Sequence, residues 1–148
     1  MTIDPVNPPE LARPSGFAHA VVTTGGLLVF LAGQTALDAS GAIVGGGVVE
    51  QFEQALGNLL TALRAAGGEP GHLTSLTIYA TDLRDYRAHG RQIGAVWRKL
   101  AGPRYPAMAA VGVSQLWDAA AVVEVQGLAV IGEPGSGGQP GDQAGLAS

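Results

Sequence analysis

The stretch VEQFEQALGNLLTALRAAGG, residues 49–68, decides the fold because it predicts one long amphipathic helix. Its large apolar side chains recur every three or four residues, which places them on one face of a helix. These residues are Phe52, Leu56, Leu59, Leu63 and Ala66. Gly67 and Gly68 follow, and glycine commonly ends a helix. The stretch therefore predicts a helix over residues 49–66 with one face buried.

Short apolar segments on both sides of this helix predict strands. Residues 18–23 and 27–32 precede it, and the link Thr24-Gly25-Gly26 between them is typical of a β-hairpin. The sequence LTSLTIYAT, residues 73–81, follows it and alternates apolar with polar side chains, as in a strand packed on one face. Two last strands are predicted over residues 107–113 and 121–130.

A second helix is predicted before the last two strands. Asp82 or Asp85 can cap its start, and Gly102-Pro103 ends it. Its apolar face consists of Tyr86, Ile93, Trp97 and Leu100. The order strand, strand, helix, strand, helix, strand, strand predicts an α+β fold in which a mixed β-sheet carries two helices on one face.

The sheet face without helices also needs cover. In the last predicted strand Val123 and Val125 point to one side, whereas the other side carries Leu128, Val130, Glu124 and Gln126. Only 14% of the residues are charged, against about 25% in an ordinary soluble domain. Both observations indicate that a second subunit, rather than water, covers this face.

Length and charge bound the class of protein. The 148 residues fit one domain, predicted over residues 16–131, with an extended arm over 1–15 and a disordered Gly- and Pro-rich tail over 132–148. No apolar run approaches the roughly 20 residues of a membrane helix, and no secretory signal is recognisable, so we expect a cytoplasmic protein that does not bind membranes. The net charge of −4 gives no electrostatic basis for binding nucleic acid.

Metal and cofactor motifs are not recognisable in this sequence. Cysteine is absent, which excludes disulfides and thiolate metal sites. His19, His72 and His89 show no ligand spacing, so we expect neither a metal nor a cofactor. We interpret Trp97 and Trp117 as packing residues.

Several short segments occur in an order and spacing typical of one known family. They are Gly16 to Val21, Leu31 to Gln34, Asp38 to Val44, Ala65 to Gly68, Thr81 to Tyr86, Tyr105 to Met108 and Val123 to Gln126. With them the chain resembles the Rid family (reactive intermediate deaminases, YjgF-type) over residues 16–131. The resemblance implies a chorismate-mutase-like fold and a homotrimer whose sheets form a central barrel, with ligand pockets in the clefts between subunits.

The resemblance also implies where a site would lie. Imine- and enamine-hydrolysing Rid proteins use an arginine for the substrate carboxylate, a backbone N–H in the Gly-Gln segment (here Gly33-Gln34), a tyrosine, a serine, and a glutamate that works with water. The glutamate is present as Glu124. The other positions are changed: Met108 for the arginine, Phe17 for the tyrosine, Ala32 for the serine, Ala110 for a cysteine of some members and Gly90 for an asparagine.

These changes alter the expected ligand. A guanidinium holds a carboxylate with two charge-assisted hydrogen bonds, and the Met108 side chain offers none. An unpaired carboxylate in an apolar cleft costs several kcal/mol. We therefore expect a small, largely apolar ligand that is uncharged where it meets Met108.

Glu124 is the candidate catalytic residue. It lies in an alanine- and valine-rich run, and such neighbours favour the protonated carboxyl, so that it can act as general acid or base for attack by water. Alternatively Glu124 accepts hydrogen bonds from the backbone or from Arg104 at an interface. Gln126, on the same side, either holds a water or ligand atom or is a satisfied interface amide.

Two functions remain open from the sequence. The first is an enamine- or imine-hydrolysing enzyme in which Glu124 promotes hydrolysis or tautomerisation. The second is a non-catalytic trimer that binds ligands or partners, favoured by the loss of the arginine, tyrosine and serine. Some relatives carry a ribonuclease label, but the acidic balance of this chain disfavours that activity.

Overall fold

The element order of the chain is the one that the sequence predicts, with additions at the N-terminus and in the second helix. In this computed structural model residues 1–133 are described, so that the predicted tail from residue 134 onward lies outside the described residues. The elements are β1 (Thr2–Val6), β2 (Ala20–Thr24), β3 (Leu27–Gln34), α1 (Val48–Ala65), a short 3-10 helix (Pro70–His72), β4 (Leu73–Ala80), α2 (Leu83–Ala88), α3 (Gly90–Ala101), β5 (Ala107–Gly112) and β6 (Val123–Ile131).

A mixed sheet of four strands forms the centre of the fold. Its strand order is β3-β6-β4-β5, with β5 at one edge. The pairs β3–β6 and β6–β4 are antiparallel, whereas β4–β5 is parallel. Leu76 and Ile78 of β4 and Val123 and Val125 of β6 are buried on the face that carries the helices. The predicted α+β class and mixed sheet are confirmed.

Helix α1 packs on this sheet with the predicted face, except for Ala66, which follows the helix as its C-cap and is exposed. Phe52, Leu56, Leu59 and Leu63 are almost fully buried among side chains of β3, β4 and β6. Gly47 caps the start, where the Glu50 carboxylate accepts a hydrogen bond from the Gly47 N–H at 2.9 Å. The predicted helix is therefore confirmed, with bounds shifted by one residue.

The predicted second helix is two helices, which corrects the prediction of one. Helix α2 begins after Asp82, whose carboxylate accepts a hydrogen bond from the Asp85 N–H at 3.0 Å. It ends at Ala88, because φ of −100° and ψ of 17° at His89 leave the helical region, and α3 begins at Gly90. The apolar face runs on across this break, from Tyr86 to Leu100, and periodicity therefore does not reveal it.

The predicted hairpin between the first two apolar segments is wrong, although the turn between them exists. Gly25 and Gly26 have φ of 68° and 86°, but β2 pairs with β1 and β3 pairs with β6. The partner of β2 is β1, which lies in the N-terminal arm. The turn at Gly25 and Gly26 therefore connects the two-stranded sheet to the four-stranded sheet. A Cβ at Gly26 would lie 2.5 Å from the Ile131 carbonyl oxygen, which shows how closely the turn approaches the end of β6.

The sheet face opposite the helices is open in the single chain. We call it the open face; on β3 it exposes Leu28 and Phe30, with 65% and 77% of their surface accessible. Trp97 is buried as predicted, but Trp117 is 97% exposed on the loop before β6, so its predicted packing role is wrong. Within the described residues no helix is long and apolar enough to cross a membrane.

Candidate functional site

The residues predicted for the site fall on opposite faces of the sheet. On the helix face Met108 pairs in register with Leu76, and Ala110 pairs with Ile78. On the open face Tyr79 pairs with Glu124, and Thr77 pairs with Gln126. Because side chains alternate along a strand, Met108 and Glu124 point away from each other within one chain.

A pocket of about 260 Å³ lies on the helix face, between α3 and the sheet edge formed by β5. It brings together three predicted residues, Phe17, Met108 and Ala110, and the Gly90 that replaces an asparagine. The remaining lining residues are Ser15, Gly16, Phe52, Ile78, Tyr86, Ile93, Gly94, Trp97, Tyr105 and Ala109. These residues therefore line one largely apolar cavity, and their role in ligand binding stays a prediction.

The segment before β2 carries Phe17 to the pocket. The Ala18 N–H donates to the Pro106 carbonyl at 2.9 Å, which fixes this segment beside β5. The Phe17 ring meets the His19 ring edge to face, with 5.1 Å between centroids. His19 is in turn held by the arm, because its backbone N–H donates to the Asn7 side-chain oxygen at 2.9 Å.

Aromatic side chains build the wall of the pocket. The Tyr105 ring stacks on Trp97 with 5.3 Å between centroids and 15° between planes. The Trp97 Nε1–H donates to the Arg104 carbonyl at 3.0 Å, which orients the indole. Tyr86 meets Phe52 edge to face at 6.2 Å. Burial, with a smaller contribution from Tyr105, raises the pKa of Tyr86 to about 12, so its hydroxyl stays protonated at neutral pH.

Glu124 is half-buried on the open face, next to an irregularity in β3. The register runs from Leu31↔Gly127 to Gln34↔Val125, so β3 holds one more residue than β6 in this interval. This β-bulge contains the predicted residues Ala32 and Gly33. A Cβ at Gly33 would collide with the Glu124 carboxylate and lie 3.0 Å from its Cδ. Only glycine leaves room for the carboxylate at this position.

The Glu124 carboxylate forms no hydrogen bond or ion pair with any residue between 1 and 133. Arg104, the alternative partner considered from the sequence, instead donates from Nη2 to the Ile3 carbonyl at 2.6 Å. Within the described part of one chain Glu124 and Arg104 are not paired, and the alternative of a contact between them at a subunit interface stays a prediction. This carboxylate has acceptor capacity for a water or a ligand.

Tyr79 is a residue of the open face that sequence reasoning did not assign to the site. Its hydroxyl donates to the Gln126 side-chain oxygen at 3.1 Å, and its Cα is paired with that of Glu124. Alternation along β4 indicates that Tyr79 points away from the helices, but the register with β6 was needed to place it beside Glu124 and Gln126.

The start of β6 is tied to α1 by a buried glutamine. The Gln51 side-chain amide donates to the Ala120 carbonyl at 3.1 Å, and its oxygen accepts from the Val122 N–H at 2.9 Å. Two residues before Ala120, the Asp118 carboxylate accepts a hydrogen bond from the Thr35 hydroxyl at 2.7 Å. These contacts fix the backbone two residues before Glu124 and thereby the direction of its side chain.

The pocket is lined by uncharged residues. None of the residues that line the pocket is Lys, Arg, His, Asp or Glu. Among residues 1–133 no group of three or more His, Asp or Glu side chains is placed to hold a metal ion. An apolar pocket on one face and a single carboxylate on the other therefore make up the candidate site.

A mixed sheet with helices on one face and a pocket at its edge defines a small α+β protein with a candidate ligand-binding site. The sequence model of the family described as Endoribonuclease L-PSP matches residues 10–131. The chain belongs to this family, which is the Rid family that the motifs indicate.

Similar proteins agree with this membership. The 2-iminobutanoate/2-iminopropanoate deaminase of Capra hircus is 34% identical over 105 residues, covering 70% of this chain and 73% of the relative. Protein DfrA of Myxococcus xanthus is 35% identical over 115 residues, covering 77% and 84%. The crystal structure of YyfB from Yersinia pestis, a conserved Rid protein of unknown function, superposes with a TM-score of 0.77 at 32% identity, covering 88% of this chain and 100% of that one.

Proposed function

We propose that this protein is a cofactor-independent hydrolase that acts on enamine- or imine-like small molecules, with Glu124 as its acid and base. The observation that carries the proposal is the half-buried Glu124 carboxylate, which has no partner among the described residues and is seated against Gly33 in the bulge of β3. Relatives at about one-third identity are 2-iminobutanoate/2-iminopropanoate deaminases, which supports this reaction class.

The site needs two copies of the chain. The pocket lies on the helix face and Glu124 lies on the open face, so the sheet separates them within one subunit. A second copy that lays its open face over the pocket would bring the two together. The exposed Leu28 and Phe30 on the open face support such a contact, because burying them removes apolar surface from water. Three contacts of this kind close a ring, the homotrimer with a central barrel that the family resemblance implies.

The chemistry requires one group to move a proton. As water attacks the carbon of the C=N bond, the Glu124 carboxylate accepts a proton from that water and then delivers it to nitrogen. Glu124 next takes the proton of the new hydroxyl group and delivers it to the nitrogen, so that the C–N bond breaks, ammonia or an amine leaves, and the carbon becomes a carbonyl. For an enamine, protonation of the carbon first gives the same imine. The hydrogen bond from Tyr79 to Gln126, on the same face as Glu124, supports a role for Gln126 in orienting the water.

The pocket would hold the rest of the substrate. Phe17, Met108 and Ala110 present apolar surface where an imino-acid carboxylate is otherwise gripped by arginine. Ala32, in place of a serine, adds no hydroxyl to the bulge. The ligand is therefore small and largely apolar, rather than a free 2-imino acid.

The test is Glu124→Gln, assayed by release of ammonia or carbonyl product. Imines are generated in situ by an amino-acid oxidase and, for uncharged substrates, by an amine oxidase. We expect the variant to lose about 100-fold or more of the rate, the contribution of a positioned acid–base group. Glu10→Gln, on the exposed arm, is the matched control and should keep the full rate. An unchanged rate in Glu124→Gln removes Glu124 from the mechanism.

A second candidate is a non-catalytic binding protein of the same family. The replacements Met108, Phe17 and Ala32 favour it, because they remove three polar groups at once. Ligand binding without turnover of any imine in the panel would establish this alternative. Turnover of one of them would exclude it.

A further inference from the structure

We propose that the pocket between α3 and β5 selects an uncharged ligand that carries a flat ring and a neutral hydrogen-bond acceptor, which the Tyr86 hydroxyl binds. The inference rests on the proposed function, since it names the substrate class of the same site. Binding is measured separately from turnover, so that either can fail alone.

Two glycines of α3 leave the space for a ring. Gly90 and Gly94 are one helical turn apart and both line the pocket. A Cβ at Gly90 would meet no atom within 4 Å, and one at Gly94 would be 3.5 Å from Arg98 Nη1. The helix therefore presents bare backbone to the cavity, against which a flat group packs closely.

Aromatic side chains form a further part of the boundary of this space. Trp97 and Tyr105 are stacked on each other, and Tyr86 and Phe52 meet edge to face. Aromatic rings favour stacked and edge-to-face contacts with further rings. The volume of about 260 Å³ lies below the roughly 300–1,000 Å³ of pockets for drug-sized molecules. One ring with a few further atoms suits this volume.

The two tyrosine hydroxyls of the pocket are neutral donors. Neither the Tyr86 nor the Tyr105 hydroxyl hydrogen-bonds to another described residue. Both can donate to a carbonyl, amide or imine acceptor. Burial keeps the Tyr86 pKa at about 12, so this donor persists at neutral pH.

A carboxylate is disfavoured in this pocket by the absence of a cation among its lining residues. Arg98 passes near Gly94 but does not line the cavity. Arg98→Ala therefore tests whether this nearby guanidinium contributes to the binding of a carboxylate ligand.

The experiment compares three probes of one size: phenylacetamide, phenylacetate and cyclohexylacetamide. Binding is followed by Trp97 fluorescence in a Trp117→Phe background, because Trp117 is fully exposed and would dominate the signal. We expect phenylacetamide to bind at least about tenfold more tightly than either other probe. Equal or tighter binding of phenylacetate, or no binding of phenylacetamide, would overturn the proposal.

Variants assign the contacts. Tyr86→Phe should weaken phenylacetamide about three- to tenfold, the usual net effect of one hydrogen bond. Gly90→Leu should abolish binding by filling the ring space, whereas Gly57→Leu on α1, where a Cβ also meets nothing within 4 Å, should not. Arg98→Ala should leave phenylacetamide unchanged. Full affinity in Gly90→Leu with an unchanged thermal midpoint would contradict the assigned position of the ring.

Turnover separates this inference from the proposed function. Ring-selective binding together with full turnover in Glu124→Gln would refute the role of Glu124 and leave the ligand class intact. Loss of turnover in Glu124→Gln together with tight phenylacetate binding would refute the ligand class and leave the role of Glu124 intact.

Discussion

Gly33 and Glu124 show what single residues contribute to the candidate site. The sequence marks Glu124 as the acid and suggests Gly33 as a backbone donor. The structure adds that the Glu124 carboxylate packs directly against Gly33, in the space that a Cβ would occupy. This contact depends on the bulge in β3 and on its register with β6, two long-range features that spacing along the chain does not contain.

Gly33→Ala should displace the Glu124 carboxylate without unfolding the protein. The added methyl group collides with the end of a flexible side chain, which can move, and not with backbone. We expect a rate loss on the order of 100-fold, since a shift of about 1 Å in a catalytic group has this effect. The thermal midpoint and the rate on an imine substrate are the measurements.

Gly112→Ala is the control for this substitution. Gly112 is also a strand glycine, and its Cβ would be 3.5 Å from the Leu83 Cβ, an ordinary contact. It should retain its rate. An unchanged rate in Gly33→Ala would contradict the prediction that catalysis depends on the position of the Glu124 carboxylate.

The raised pKa of Tyr86 predicts that the free energy of unfolding decreases at alkaline pH. Its hydroxyl ionises near pH 10.0 in the unfolded chain and near pH 12 in the folded one, because burial raises its pKa. Between these values the unfolded state releases a proton that the folded state keeps. Stability due to Tyr86 is complete below about pH 10 and falls as the pH rises toward about 12, by at most about 3 kcal/mol.

Urea unfolding of the wild type and of Tyr86→Phe between pH about 9 and about 12 measures this contribution. The variant should lose less stability over this range than the wild type. Contributions common to both proteins cancel in the comparison. Parallel profiles would show that Tyr86 is not desolvated by the fold.

At the scale of elements, hydrophobic periodicity predicted correctly the helix and the strand whose pattern is contained in their own sequence. The 3.6-residue period of α1 and the alternation of β4 required no knowledge of partners, and both are confirmed. The predicted hairpin was wrong because β1, in the N-terminal arm, pairs with β2, and its residues lie 14 (Val6↔Ala20) to 22 (Thr2↔Thr24) positions from their partners. The break at His89 was missed because the apolar period continues through it.

Gln51 joins α1 to the start of β6, and its removal should loosen both. Gln51→Leu leaves the Val122 N–H and the Ala120 carbonyl without their side-chain partner in a part-buried setting. A buried polar group without a hydrogen bond costs about 1–3 kcal/mol. We expect a loss of this size in the free energy of unfolding, measured with urea, and a lower rate because β6 carries Glu124.

Gln92→Leu is the matched control on the exposed surface of α3. Its stability should change by less than about 0.5 kcal/mol. Equal effects of the two substitutions would mean that the Gln51 bridge does not stabilise the fold.

At the scale of the whole molecule, the low charge and the apolar residues on both sides of the last strand indicated a covered sheet. The structure leaves Leu28 and Phe30 exposed on the open face of the single chain. The separation of Met108 from Glu124 by the sheet could not be predicted, because it follows from the order β3-β6-β4-β5 and its register. A site made from both residues thus requires a second copy.

Cross-linking between two single-cysteine variants tests this requirement most directly, because the native chain has no cysteine. Phe17→Cys places a thiol at the pocket, and Gln126→Cys places one on the open face. The two variants, carrying different affinity tags, are co-expressed and treated with a short bis-maleimide. A covalent pair containing one chain of each kind is the result we predict. Absence of that mixed pair, with a solution mass equal to the 14.9 kDa of a single chain, would contradict a site shared between subunits.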